Sequence, residues 1–245
     1  MTVLLLGGTG EARALAARLA EAGVPVVSSL AGAASPAVLP AGQVRVGGFG
    51  GVAGMVDYLR THRIARVVDA THPFAAQIST NAAAACRHQG TPLLRLSRPS
   101  WRTRPDASGW HWVARLADAR AVAEGVGHRV FLSVGRQSAA VFTGWQGGYV
   151  LLRVVEPPQT PVPDGWEVLA ARGPFDFAAE RALLLSRRID VLVTKDSGGD
   201  QTAAKLDAAA ALGIPVVIVA RPPDLPGVPI VDSVDAALRW VTGRH

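Results

Sequence analysis

Two short strings in this chain gather the side chains best suited to chemistry. Asp69-Ala70-Thr71-His72-Pro73-Phe74 supplies a carboxylate, a hydroxyl and an imidazole, and Thr194-Lys195-Asp196-Ser197-Gly198-Gly199 supplies an ammonium, a carboxylate and two hydroxyls. Lysine carries a compact charge whose pKa its surroundings can tune, while arginine offers a fork for carboxylates and phosphates. Two glycine turns, Gly7-Gly8-Thr9-Gly10 and Gly135-Arg136-Gln137-Ser138, each follow an apolar run, and a turn of that kind ahead of a helix binds anions through backbone amides and the helix dipole.

Both strings sit in the same structural phrase. The first runs from Val67-Val68 through an Ala-rich helix over Ala82 to Ala85, then Gly90 and Leu93-Leu94-Arg95-Leu96-Ser97-Arg98-Pro99. The second runs from Val191-Leu192-Val193 through a helix over Ala208 to Ala211, then Gly213 and Val216-Val217-Ile218-Val219-Ala220-Arg221-Pro222. Strand, polar loop, helix, glycine stop and strand predict βαβ units, whose loops fall at the carboxyl ends of parallel strands, where open α/β sheets bind ligands. The expectation is an α/β protein of two Rossmann-like domains with parallel sheets and an interdomain cleft. Its boundaries are residues 1–98, a crossover linker at 99–112, and 113–245. Trp101, Trp110 and Trp112 cluster at that crossover and read as aromatic filling.

The first strand, residues 3–6, enters the glycine turn, and a helix follows from Glu11 with Ala12, Leu15, Ala16 and Leu19 on one face. As a dinucleotide fingerprint the turn is imperfect, since Arg13 stands where the last glycine belongs; it reads as a phosphate loop or as a tight turn. The next strand, residues 24–30, would end in an acid if the ligand were NAD, and no acid lies between Glu21 and Asp57. That favours NADPH, with Ser28 and Ser29 as candidate partners of its 2′-phosphate. Arg45, the one cation in that interval, is a third candidate or an ordinary surface residue. Gly47-Gly48-Phe49-Gly50-Gly51, ahead of a helix at 52–61, permits close approach of a ligand or serves as a flexible connection. Thr71 and Pro73 fit a helix start, which leaves Asp69, His72 and Phe74 unexplained. In the second half Arg136 is placed for a fork contact in the Gly135 turn, and Gly173-Pro174-Phe175 reads as the start of a helix to Arg187.

Net charge is +6, and of 25 Lys and Arg only Lys195 and Lys205 are lysine. The excess suits nucleic acid, an anionic cofactor or a polycarboxylate, and the scatter of the arginines speaks against nucleic acid. No apolar run approaches the roughly 20 residues that span a bilayer, and no basic segment precedes the first strand, so neither membrane nor signal peptide is expected. The single cysteine, Cys86, forms no intrachain disulfide and fits a reducing cytoplasm; it reads as a nucleophile or as a small buried helix residue. No histidine pair has ligand spacing, so no metal site is expected, and no G-x-S-x-G elbow or P-loop is present. The balance favours hydride transfer or simple binding. Apolar helix faces serve cores and interfaces alike, so oligomeric state stays open.

Leu6-Gly7-Gly8-Thr9 with Glu11-Ala12-Arg13, Gly47-Gly48-Phe49-Gly50-Gly51, Asp69-Ala70-Thr71-His72-Pro73-Phe74-Ala75, Gly173-Pro174-Phe175 and Thr194-Lys195-Asp196-Ser197-Gly198-Gly199 resemble, in order and over nearly the whole chain, the precorrin-6A reductases of cobalamin biosynthesis. The resemblance implies a two-domain enzyme that uses NADPH to reduce one macrocycle double bond and give precorrin-6B. It implies a cofactor on the N-terminal half, at Gly7, Gly8, Thr9, Glu11, Ala12, Ser28, Ser29, Arg45, Gly48, Phe49 and Thr71. The tetrapyrrole, with its several carboxylates, would meet Arg136, Asp196, Ser197 and Gly198. Lys195 is the first candidate for positioning the substrate, stabilising charge or delivering the proton, against a surface lysine paired with Asp196 or Asp200. His72 either touches nicotinamide or substrate or caps its helix, and Lys205 reads as a solvated residue. The family's pattern leads one to expect a basic residue soon after Ala31-Gly32, where Ala33-Ala34-Ser35 stand, which raises the standing of Arg45. Rival readings are the cobalt-precorrin-6A reductase of the anaerobic route, another NADPH-dependent reductase or epimerase on the same scaffold, and a non-catalytic two-lobed protein that binds anionic ligands.

Overall fold

A computed structural model describes residues 1–30, 32, 39–158, 160–199 and 202–243. The chain divides into two compact units, Met1–Arg98 with Pro222–His245, and Pro99–Arg221.

The first unit contains β1 Thr2–Leu6, α1 Gly10–Glu21, β2 Val26–Leu30, β3 Gln43–Val46, α2 Gly51–Thr61, β4 Ile64–Asp69, α3 Ala76–Gln89 and β5 Leu93–Leu96. Its last strand and helix, β12 Ile230–Val231 and α7 Val234–Thr242, come from the far end of the chain. The sheet is parallel throughout, in the order β12-β5-β4-β1-β2-β3. Read from the other edge this is the doubly wound order in which the crevice opens between β1 and β4. Val3, Leu4, Leu5 and Leu6 are each at most 1% exposed, because helices cover both faces of such a sheet. One layer joins Val3, Leu5 and Val68 to α1 and α7, and the other joins Leu4, Leu6 and Val67 to α2 and α3. α1 forms because Leu15, Ala16 and Leu19 recur on one buried face, Thr9 caps the first turn, and Glu11 complements the helix dipole. α3 stops at Gly90, whose left-handed φ of +67° ends the helix.

The second unit contains β6 His111–Val113, α4 Leu116–Glu124, β7 Arg129–Ser133, a 3-10 turn Arg136–Phe142, β8 Tyr149–Val154, β9 Glu167–Ala170, α5 Phe177–Ser186, β10 Val191–Lys195, α6 Ala204–Leu212 and β11 Val216–Val219. The order β6-β11-β10-β7-β8-β9, again parallel throughout, repeats that of the first unit. The origin of the outer strand differs. In the second unit β6 and α4 precede β7, whereas in the first unit β12 and α7 arrive after everything else. The likeness reaches single residues: Arg63 and Arg188, both left-handed at φ +48° and +50°, precede Ile64 and Ile189 at the same point of each unit.

The two parallel sheets agree with the expected fold class, and the boundaries differ from those expected. Residues 222–245 complete the first sheet, and residues 99–112 are part of the second unit. Trp101 is 4% exposed in the second core, where Trp110 and Trp112 also pack, so apolar burial fixes a stretch that lacks any period. Two helix starts also move: α3 begins at Ala76 with Ala75 before it, and α5 begins at Phe177 capped by Asp176. Pro73 and Pro174 therefore stand in loops ahead of their helices.

Candidate active site

Most of the residues expected to hold a cofactor stand at the carboxyl edge of the first sheet; Ala12 and Ser28 are instead buried. The side chain of Thr9 ties two loops at the crevice together: its hydroxyl accepts from Ala12 N at 3.1 Å and donates to the Ala70 carbonyl at 2.8 Å. Gly7 is packed closely, since a Cβ there would lie 3.3 Å from Leu30. Gly8 differs. Its φ is +115°, and a Cβ would meet nothing within 4 Å, so the backbone lies open to a ligand. The Glu11 carboxylate faces Arg98, just past β5, at 3.5 Å.

Arg45 is fixed on its site. Its guanidinium donates to Ser29 Oγ at 2.8 Å and to the carbonyls of Gly47 and Gly48 at 3.0 Å, and it lies 3.8 Å from the Phe49 ring centroid. Phe49 in turn meets Tyr58 edge-on at 5.2 Å, so the glycine-rich loop is shaped around this cation rather than left slack. Ser28 behaves differently from Ser29. Successive strand residues face opposite ways, and Ser28 is 1% exposed with its hydroxyl atom buried and unbonded, so of the pair only Ser29 stands with Arg45. The positions around Ala33-Ala34-Ser35, where a basic residue was expected, lie outside the described residues.

At the end of β4, Asp69 accepts from Thr71 N at 3.0 Å and from Thr71 Oγ1 at 2.7 Å, and forms a buried ion pair with Arg95. Arg95 also donates to Ser79 Oγ at 2.7 Å. Thr71 therefore braces Asp69 and does not cap α3. His72 follows in the loop, half-buried, and its Nδ1 accepts from Phe74 N at 3.3 Å, which puts the proton of a neutral ring on Nε2.

In the second unit Lys195 ends β10 and donates to Ser138 Oγ at 2.6 Å. Burial lowers the pKa of its ammonium from the ordinary lysine value. Asp196 is 1% exposed and accepts from Ser100 Oγ at 2.6 Å, Trp101 N at 2.9 Å and Arg221 Nε at 3.1 Å. The segments that enter and leave this unit are thus both tied to one carboxylate next to Lys195. Trp101 Nε1 also donates to the Gly199 carbonyl at 3.2 Å, and Gly198 and Gly199 take left-handed φ of +65° and +73°, which shapes the loop containing Ser197. Arg136, in the Gly135 turn, pairs with Glu156 at 2.7 Å with both side chains partly exposed. Lys205 corrects the expectation of a solvated residue: it is 2% exposed, donates to the Thr202 carbonyl and lies 4.8 Å from the Trp101 ring centroid. Asp200, weighed as a partner of Lys195, is outside the described residues.

Among the described residues no cluster of His, Cys, Asp and Glu could hold a metal, and no helix is long and apolar enough to cross a membrane. Cys86 is 3% exposed, and burial, with Asp69 nearby, pushes its thiol up to about 12. That suits a core residue. In the folded protein Cys86 is expected to resist iodoacetamide at pH 8 and to react fully in guanidinium, as mass spectrometry would report; fast labelling when folded would contradict this.

The model of the family described as "Precorrin-6x reductase CbiJ/CobK" matches residues 2–242. A precorrin-6A reductase from Rhodococcus erythropolis is 52% identical over 98% of this chain and 96% of its own length, and one from Mycobacterium tuberculosis (strain ATCC 25618 / H37Rv) is 48% identical over 98% and 97%. A cobalt-precorrin-6A reductase from Salmonella typhimurium is 34% identical over 91% of this chain and 88% of its own. Among solved structures, one described as "CobK precorrin-6A reductase" superposes with a TM-score of 0.90 at 40% identity, covering 100% of this chain and 97% of that one. With the glycine turn, the Asp-Ala-Thr-His-Pro-Phe loop and the Lys195 loop each at a sheet's carboxyl edge, the chain belongs to the precorrin-6x reductase family.

Proposed function

We propose that this protein reduces precorrin-6A with NADPH, adding one hydride and one proton across a double bond of the macrocycle. The relatives of highest quoted identity carry the name precorrin-6A reductase, and the cobalt-precorrin-6A relative stands at 34%, which favours the metal-free substrate. The cytoplasm suits a reductase whose one cysteine is buried as a free thiol.

The observation that carries the cofactor reading is a contrast between the two units. Each places a guanidinium 3.8 Å from the ring of a phenylalanine in the loop after an edge strand, β3 or β9: Arg45 with Phe49 and Arg153 with Phe175. Arg153 forms a buried ion pair with Glu180, and its charge is spent. Arg45 is held by a hydroxyl and two carbonyls, which orient it and leave its charge for a phosphate. We therefore assign the 2′-phosphate to Arg45 and Ser29, and the pyrophosphate to the open backbone at Gly8 and the first turn of α1. Gly48, Phe49, Glu11 and Thr71 shape the rest of that edge.

NADPH, when bound, supplies the hydride. His72, in the loop after the central strand β4, orients the nicotinamide or the substrate carbonyls beside it. Lys195 gives a proton to the carbon next to the one reduced, and its burial makes that proton easier to release. Arg136 exchanges Glu156, a partly exposed pairing of small worth, for a substrate carboxylate. Ser197 and the amides at Gly198 line the same loop.

The direct test is to mix protein, precorrin-6A and NADPH and follow nucleotide absorbance and tetrapyrrole mass. One NADPH consumed per two hydrogens gained is expected; turnover only with cobalt-loaded precorrin would move the enzyme to the anaerobic route, and a lack of NADPH binding would favour a binding protein. Arg45→Met is expected to weaken NADPH binding about tenfold or more, the worth of one charge-assisted contact, and to leave NADH binding unchanged in a nicotinamide fluorescence titration. Equal weakening of both nucleotides would remove Arg45 from the 2′-phosphate.

A further inference from the structure

The second unit departs from the first where its crevice opens. Leu6 on β1 lies beside Asp69 on β4, and Ser133 on β7 lies beside Thr194 on β10, so Lys195 takes the place that Ala70 holds in the first unit. The chain leaving β7 does not start an α-helix there. It passes Gly135, at φ +82°, into the 3-10 turn Arg136–Phe142, anchored by Ala139 and Phe142, which are 4% and 0% exposed. Ser138 N donates to the Gly135 carbonyl at 3.1 Å, and that tight turn sends the Ser138 hydroxyl back over the end of β10. There it receives Lys195 Nζ at 2.6 Å.

We propose that Ser138 is a positioning residue for Lys195. A lysine ammonium rides on a flexible stem, and ordering it costs rotamer entropy. Ser138 is 7% exposed and has a single short rotor on a buried turn, so it fixes one end of that stem. Thr194, one residue earlier, sends its hydroxyl to the Ser133 carbonyl at 3.3 Å and helps hold the strand ends in line. As a neutral acceptor Ser138 orients the ammonium without adding the opposing charge that would tighten its hold on the proton. This inference rests on the part given above to Lys195 in the reaction.

The test uses the fact that the chain has only two lysines, so brief acetylation with acetic anhydride and peptide mass spectrometry can read Lys195 against Lys205 in one sample. In Ser138→Ala the acetylation rate of Lys195 relative to Lys205 is expected to rise several-fold. In the same variant kcat for precorrin-6A should fall about tenfold, the size of one hydrogen bond to a charged group, while KM for NADPH and the melting temperature stay near wild type. Adding Ser138→Ala to Lys195→Met should cost no further activity. An unchanged labelling ratio overturns the proposal, and so does a further tenfold loss in the double variant. A raised labelling ratio with unchanged kcat overturns the role of Lys195 in the reaction, and with it that of Ser138, while showing that the contact itself holds the amine.

Discussion

Lys195→Met lowers kcat for precorrin-6A about a hundredfold, within the range for losing a positioned proton donor, and leaves the Kd for NADPH within about twofold. Methionine keeps the length and apolar stem of lysine and removes the ammonium, so β10 and the Ser138 turn keep their shape. The sign of the pH effect follows from burial. The donor must be protonated, and burial lowers the pKa of Lys195, so kcat is sustained at low pH and lost as pH rises through a value below the ordinary lysine range. That alkaline limb should disappear from the residual activity of Lys195→Met. A wild-type rate in the variant, or weakened NADPH binding equal to the loss of turnover, would take Lys195 out of the chemistry.

The largest effect on stability is expected at Asp69→Asn, at about 3 kcal/mol, the order for breaking a buried ion pair. One oxygen of Asp69 accepts from the amide and hydroxyl of Thr71, and the other meets Arg95. An asparagine has a single oxygen. If that oxygen serves Thr71, its NH2 is turned on the Arg95 guanidinium, donor against donor; if it serves Arg95, Thr71 loses its acceptor. Either way a buried charge of Arg95 is poorly matched, and the loop with His72 loses its brace. Urea unfolding followed by tryptophan fluorescence would measure the loss, and a change under about 1 kcal/mol would show that the network rearranges at little cost.

The fold was legible wherever one strand and its loop make a local pattern. The paired strings around Asp69 and Lys195 gave two parallel units because apolar strand, polar loop and glycine-stopped helix are set within a few dozen residues. What lay outside the pattern was long-range pairing. Ile230–Val231 is too short to announce which sheet it joins, and residues 99–112 lack a period because Trp101 is fixed by the second core and by Asp196. The site shows the same division. The residue types at Gly8, Arg45, Asp69, Lys195 and Asp196 were visible, whereas the contacts of Arg95 with Asp69, Ser138 with Lys195 and Arg221 with Asp196 join segments distant in sequence. One signal was available for the last of these, since an Arg-Pro pair closes both repeats, at Arg98-Pro99 and Arg221-Pro222. The buried state of Lys205 could not be read locally, because Trp101, distant in sequence, covers it.

The late arrival of β12 and α7 bears on how the protein is made. A ribosome delivers residues 1–98 first, yet β5 lacks its outer neighbour and the layer over α1 lacks Ala237 and Val241 until the very last helix emerges. Residues 99–221 contain every strand of their own sheet and can close it while the earlier stretch is still waiting. The half synthesised first is therefore the half finished last, a reversal of the usual order in which domains mature from the N-terminus, and a chain cut short after Arg221 would carry one complete unit and one with an open edge.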